Sequence, residues 1–528
     1  MRAPRTGTAA RIVAGLAVGA LLAGTAACGV ADDKGGGTDD HTYRPGTLRV
    51  LASSELADMK PVLDAAAKAT GVTVRPTYAG TLDAVEQVAS GKADGRYDAV
   101  WLSSNDYLRL RPETAARITG ETPIMTSPVA LGLRSEAVAR LGWDPARVTW
   151  AQVHRAVADG KLSYGMTDPV RSNSGFSALV SIASGLSGAQ SALTDADVAR
   201  ATPRLKEFFA GQKLTSGSSG WLATAYARRS DVDALVNYES VLLSMRPRLT
   251  VVRPSDGVVT ADYPFTTLAS ARPEAKDAAR RLTTHLRGAD AQRTITEKTL
   301  RRPVVPGVRP AAAIATEPRR ELPFPGSRSV ADGLLDAYDN RLRRPSRTVY
   351  VLDTSGSMAG DRLERLKTSL SELTKDFRDR EEVTLLPFGS SVKRDQVRTH
   401  TVDPKAPDRA LAAIRGDAGR LSASGETAVY SSLREAYERL GAGDTGSVFT
   451  SIVLMTDGEN TSGDKAGDFE DYYRALPEDR RRTPVFPILF GDSDRAELDR
   501  IATLTGGRLF DATTGSLDGA FEEIRGYQ

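Results

Sequence analysis

The sequence predicts an α/β protein built as two folded bodies in series. Three observations carry this expectation. Short runs rich in Val, Leu and Ile alternate with stretches of helical periodicity from Thr47 onward, and the alternation starts afresh at Thr348. A stretch rich in Pro and Arg, 309–345, separates the two series. The chain has 528 residues, more than one ordinary core serves, and 40% hydrophobic with 26% charged residues suits globular domains. Strands alternating with helices imply parallel sheets with crossover helices.

Composition removes several function classes. Seventy Lys and Arg stand against 67 Asp and Glu, a net charge of +3, so nothing calls for nucleic acid. Four His and one Cys leave no material for a zinc site of thiolates and imidazoles, and none for a disulfide within the chain.

The one Cys closes the first segment. Arg2, Arg5 and Arg11 precede an apolar, small-residue run from Ile12 to Ala27, the layout of a secretory signal over residues 1–27. Gly24-Thr25-Ala26-Ala27-Cys28 resembles the bacterial lipobox, with Thr25 where Leu is usual. The resemblance implies that Cys28 carries lipid and anchors the mature chain to a membrane surface, since two or three acyl chains hold stably and one does not. The alternative is an ordinary cleaved signal. Residues 28–46 are rich in Gly and Asp and read as a flexible tether.

The first body is expected over 47–308. Leu48 to Leu51 reads as a strand, Met59 to Lys68 as a helix, Val72 to Val74 as a strand, Leu82 to Ser90 as a helix and Asp98 to Leu102 as a strand. Further strands are expected at Val129 to Leu133, Ser163 to Met166, Leu235 to Tyr238 and Leu249 to Val252. Small polar residues follow several of them: Ser53 and Ser54, Thr81, Ser103 and Asn105, with Thr126 before a return strand. Ser172, Asn173 and Ser174 open a helix, and Tyr238 and Glu239 end a strand. Ligands of open α/β sheets sit at such strand ends and helix N-termini, although Ser and Thr also serve there as caps and turn formers. Asp168 to Gly175, Tyr238-Glu239-Ser240 and Arg301-Arg302-Pro303 resemble pieces of the bacterial extracellular solute-binding proteins. That resemblance implies two lobes clasping a small solute at a hinge. Arg171 is the one basic residue near this cleft, and an isolated Arg at a helix start is ordinarily solvated.

The stretch 309–345 reads as a joint. Pro318 to Pro325 is rich in Pro and Arg, and a short helix is expected over Ala331 to Leu342. Proline-rich spacers are semi-rigid, so separately folded bodies are expected on either side.

The second body, 346–528, opens with the buried-strand run Thr348 to Leu352 and then Asp353-Thr354-Ser355-Gly356-Ser357-Met358. A helix with Leu363, Leu366, Leu370 and Leu373 at helical spacing follows. Strands are expected at Val383 to Phe388, Ser451 to Met455, Val485 to Phe490 and Arg508 to Phe510, with helices between and after them. Gly425-Glu426-Thr427 opens one helix, and Thr456-Asp457-Gly458 follows the Ser451 strand. An Asp-x-Ser-x-Ser run alone decides little. In this order and context it resembles the von Willebrand factor type A family, whose fold is a doubly wound, Rossmann-like sheet.

Asp353, Ser355, Ser357, Thr427 and Asp457 offer only hard oxygen donors, which suit Mg²⁺, with Mn²⁺ or Ca²⁺ as alternatives. The resemblance implies that Ser355, Ser357 and Thr427 touch the metal, that Asp353 and Asp457 stand nearby, and that a partner's carboxylate takes an open position. Enzymatic readings lack parts. An aspartic protease brings two such loops on an all-β fold. A phosphoryl-transferring aspartate wants a second Asp where Ser355 stands, a P-loop wants a Lys that 441–447 lacks, and a serine hydrolase wants a His partner.

The sequence therefore reads as a lipoprotein on the outer face of the cytoplasmic membrane, not an enzyme, that recognises a protein partner offering an Asp or Glu carboxylate to a bound metal. The alternative is a transporter's solute-binding component docked through its second body. A first cleft filled by its own side chains would favour the former.

Overall fold

The computed structural model describes residues 46–377, 379–441, 448–491, 493–513 and 517–527. The expected signal, Cys28 and nearly all of the tether lie outside the described residues.

The first body opens with β1 (Gly46–Ser53), β2 (Val72–Ala79) and β3 (Ala99–Trp101), with β1 pairing parallel to both others. Helices Lys60–Thr70 and Thr81–Ala89 make the crossovers and bury their apolar stripes: Val62 and Ala66, then Ala84, Val85 and Val88. β4 (Ile118–Pro123) belongs to the same sheet. A second sheet then collects β5 (Met125–Leu133), β6 (Tyr164–Thr167), β7 (Gln212–Ser216), β8 (Ala234–Tyr238), β9 (Thr250–Val252) and β10 (Thr260–Ala261). β11 (Pro264–Leu268) returns to the first sheet between β3 and β4, and β12 (Arg302–Pro303) pairs with β5. Two lobes result, and the chain crosses between them at Ile124 and again at Asp262 and Tyr263.

Both sheets are mixed rather than parallel throughout. β11 runs antiparallel to β3 and β4, and β5 antiparallel to β8, β9, β10 and β12. The strands β4, β7, β10 and β11 stand outside the sequence expectation, because their apolar runs are short or broken by Gly, Thr and Pro.

Residues 309–345, expected as a spacer, pack against the first body. Val258 exchanges main-chain hydrogen bonds with Arg320 (3.0 Å) and Leu322 (2.8 Å). Helix Arg328–Ala337 and the π-turn Tyr338–Leu342 bury Val330, Ala331, Leu334, Leu335, Tyr338 and Leu342 in the core that the two lobes share. That apolar spacing outweighs the Pro and Arg around it.

The second body is one six-stranded sheet: β13 (Ser346–Asp353), β14 (Glu382–Phe388), β15 (Arg398–Thr401), β16 (Phe449–Thr456), β17 (Val485–Leu489) and β18 (Phe510–Asp511), in the order β15-β14-β13-β16-β17-β18. All pairs are parallel except the antiparallel edge strand β15. Alternate residues feed two cores. Tyr350, Leu352, Val453 and Met455 face helices Asp361–Leu373 and Leu517–Arg525, while Val349, Val351, Ile452 and Leu454 face helices Val429–Leu440 and Arg495–Thr505. Covering both faces is what demands such unbroken apolar strands.

The amino ends of these strands abut the first body. Leu214, Thr215 and Trp221 of the first body share a pocket with Phe449 at the start of β16, and Trp221 stands edge-on to Tyr527 with ring centres 4.6 Å apart.

Candidate functional site

At the opposite, carboxyl ends of β13 and β16, three loops meet. Asp353 ends β13 fully buried. One of its carboxylate oxygens accepts the Ser355 amide at 2.8 Å and the other accepts the Thr456 hydroxyl at 2.6 Å, which ties the first loop to the third. The Ser355 and Ser357 hydroxyls lie 2.9 Å apart, and Ser357 donates to Asp457 Oδ1 at 2.9 Å.

The middle loop turns at Gly425, whose φ of +87° falls in the left-handed region that glycine occupies cheaply. Its carbonyl accepts the Gly356 amide at 2.8 Å, and the Ser424 amide donates to the Thr354 carbonyl at 2.8 Å. Thr427 is thereby carried to the site. A methyl group built on Gly458 would lie 3.9 Å from both the Ser357 and the Thr427 hydroxyl. All five residues expected from the sequence converge.

Burial raises the Asp353 carboxyl above the usual carboxylate range, opposed by the hydrogen bonds from Thr456 and Ser355, and Asp457 adds like charge. Arg362, from the first turn of helix Asp361–Leu373, donates to Asp457 Oδ2 at 2.6 Å and keeps 36% of its side chain exposed. Lys393 donates to the Thr354 and Ser422 carbonyls at 3.0 and 2.7 Å, pinning the first two loops together. Sequence reasoning missed Arg362, Thr456 and Lys393. Only Thr456 carried a signal, as the residue next to Asp457 in the Thr-Asp-Gly run. Among the described residues no three His, Cys, Asp or Glu gather into a metal-binding group, so any cation here relies on hydroxyl oxygens as well.

In the first body the expected cleft residues divide. Ser53, Thr81 and Ser103 form one buried cluster: Ser53 lies 3.0 Å from Thr81 and 3.4 Å from Ser103. Asn173 donates to the Tyr238 hydroxyl at 2.9 Å, and Ser174 lies 3.0 Å from Ser172 and 2.8 Å from Ser219.

Others are committed elsewhere. Asn105 donates to Glu121 (2.9 Å) and Thr266 (2.7 Å). Glu239 receives Arg302 through two bonds of 2.8 Å, because a buried carboxylate needs a paired cation. Thr126 sits in β5 opposite Arg302, and Ser54 opens a 3₁₀ turn. Arg171 lies 3.5 Å from Asp83 in the opposite lobe, and a methyl on Gly80 would fall 2.6 Å from the Arg171 carbonyl, so the lobes touch.

Arg301, noted in the sequence only as part of Arg301-Arg302-Pro303, heads a second buried group whose other members were not expected. Arg301 is buried against Asp58 (2.7 Å) and over the Tyr263 ring (4.8 Å). Burial raises the nearby Glu55 carboxyl, and Ser103 and Arg301 oppose that rise.

Two family models match the chain. Residues 48–300 match the bacterial extracellular solute-binding protein, and residues 349–523 match the von Willebrand factor type A domain. The human inter-alpha-trypsin inhibitor heavy chain H4 is 29% identical over 197 residues, 34% of this chain and 20% of its own length. An uncharacterized protein of Synechocystis sp. is 32% identical over 133 residues, 24% of this chain and 28% of its own. The chain thus spans less than a third of either relative.

Among solved structures, the periplasmic binding protein AfuA from Actinobacillus pleuropneumoniae is 12% identical with a TM-score of 0.47, over 56% of this chain and 98% of that one. A von Willebrand factor type A protein from Catenulispora acidiphila is 18% identical with a TM-score of 0.28, over 35% and 43%. Both domains resemble binding and adhesion modules rather than enzymes. No helix among the described residues is long and apolar enough to cross a membrane. The chain carries a bacterial extracellular solute-binding domain followed in series by a von Willebrand factor type A domain.

Proposed function

We propose that the protein is a cell-surface binding protein whose type A domain recognises a protein partner through a divalent cation. The observation that carries this is the spacing of oxygens at the three loops. Ser355 and Ser357, two of the direct donors, stand 2.9 Å apart, and the hydrogen bond from Ser357 to Asp457 at 2.9 Å holds Ser357 in place. With metal–oxygen distances of about 2.0–2.1 Å, neighbouring corners of an octahedron lie about 2.9 Å apart, the size Mg²⁺ prefers. Mn²⁺ is similar in its choice of ligands, whereas the longer bonds of Ca²⁺ would spread the same corners to about 3.3–3.7 Å.

Ser355, Ser357 and Thr427 would hold the cation, with Asp353 and Asp457 offsetting its charge. When bound, the cation supplies a positive centre for a partner's Asp or Glu carboxylate. Arg362, already on Asp457 and partly exposed, adds a second cationic group at the rim. Capture of a partner from the cell envelope by the immobilised ectodomain should require Mg²⁺ and fail in EDTA. Capture indifferent to EDTA would defeat this reading.

For the first domain, contact between the lobes and mutual hydrogen bonding of Ser53, Thr81 and Ser103 favour a closed scaffold. Capture of a small solute for a transporter is the second reading, favoured by the family model over 48–300. A solute co-purifying in one-to-one ratio, detected by native mass spectrometry, would establish it.

The location follows from the N-terminal segment. A lipid on Cys28 would hold the mature chain at the outer face of the cytoplasmic membrane. Metabolic labelling with a fatty acid should mark the native protein and spare Cys28→Ala, and equal labelling would end the idea.

A further inference from the structure

The junction between the two domains holds a half-open pocket of about 360 Å³ with walls from both. That volume lies within the roughly 300–1,000 Å³ of small-molecule sites, and domain junctions are a common place for them. Its charge is lopsided. Arg228 and Arg229 reach it from the end of helix Ser219–Ala227 in the first domain, and Arg481 and Arg482 from helix Glu478–Arg481 in the second. Asp231 and Glu478 are the carboxylates of the lining.

Those carboxylates are engaged. Asp231 holds Arg229 at 2.7 Å and lies 3.7 Å from Arg482, and Glu478 holds Arg482 at 2.8 Å. Arg228 and Arg481, both exposed, have no ion-pair partner among the described residues, and they come from opposite domains. Both guanidinium groups line the same pocket, so an anion lodged in it meets a cation from each domain. Guanidinium groups are also suited to planar, two-point recognition of carboxylate and phosphate. The remaining wall mixes the hydroxyls of Thr215, Ser230, Thr503 and Thr505 with an apolar side. Trp221 and Phe449 are only partly buried, so each presents apolar surface to the pocket, with Phe486 and Tyr527 behind them.

We infer that this pocket binds a small molecule joining an anionic group to a flat apolar body, the anion bridging Arg228 and Arg481 and the body lying against Trp221. Because both domains supply walls, such a ligand links them. It is independent of the metal loops, which lie at the other ends of β13 and β16.

The probe is 1-naphthyl phosphate, titrated calorimetrically into the full ectodomain, with Trp fluorescence recorded in parallel. One site per chain is expected, with inorganic phosphate alone and 1-naphthol alone each binding at least 10-fold more weakly. Arg228→Ala/Arg481→Ala should lose at least 10-fold in affinity, while Arg228→Lys/Arg481→Lys, which keeps the charge, should lose less. A native far-UV circular dichroism spectrum and melting temperature in the Ala variant show that it is folded. No saturable binding, binding that the Ala variant retains, or naphthol binding as tightly as its phosphate would overturn the inference.

Discussion

Asp262 stands where the chain crosses back from the second lobe to the first, just before Tyr263, which adopts a φ of +43°. Burial pushes its carboxyl up to about 6, opposed by Arg109 at 4.0 Å and reinforced by Asp106. A carboxyl raised above its unfolded value binds its proton more tightly in the folded state. Its contribution to stability is therefore complete below about pH 4 and is lost as the pH rises through about 6. Asp262→Asn should raise stability at pH 7 by about 1 kcal/mol, a figure reduced for its partial exposure. It should also flatten the decline between pH 4 and 6 in urea unfolding series. A variant with the native slope would show that Asp262 titrates normally.

Single residues also show where sequence reading stops. Asp353, Ser355 and Ser357 were legible because five consecutive residues after an apolar strand hold them. Arg362, Lys393 and the Glu239–Arg302 pair were not, because each depends on which distant loop or strand arrives opposite.

At the scale of elements, the strands of the second body were legible because burial on both faces demands unbroken apolar runs such as Thr348 to Leu352. The strands β4, β7, β10 and β11 were not, because Ile118 to Pro123 and Pro264 to Leu268 mix Pro, Gly and Thr with few apolar residues. The helix Arg328–Ala337 was anticipated, but its place was not. Composition suggested a spacer, whereas Leu334 is fully buried beside Leu335 and Tyr338 in the first body's core. The element also reaches the first lobe, where Tyr107 donates to Asp332 at 2.7 Å, and just ahead of it Phe324 stands edge-on to Phe176 of the second lobe at 5.0 Å. Leu334→Ala should therefore cost about 2–5 kcal/mol in thermal or denaturant unfolding. A change within about 0.5 kcal/mol, as expected of an exposed spacer residue, would contradict this packing.

At the scale of the whole molecule, the two domains divide the ends of one sheet. The amino ends of β13 and β16 meet the first domain near Pro345 and Phe449, while their carboxyl ends carry Asp353 and Thr456. Eight-residue strands at about 3.3 Å per residue separate these ends by about 23 Å. A partner held at these loops, as proposed, would be carried away from the junction, with the first domain as its mount. Recognition of a partner there requires the loops to hold a cation. Calorimetric titration of the full ectodomain with Mg²⁺ and Mn²⁺ tests this most directly, beside Asp353→Ala and Asp457→Ala. One cation per chain is expected, weakened about 10–100-fold or more in each variant, with the fold retained because strand-end loops bury little apolar surface. The absence of a binding isotherm in the native protein, or equal affinity in both variants, would contradict it.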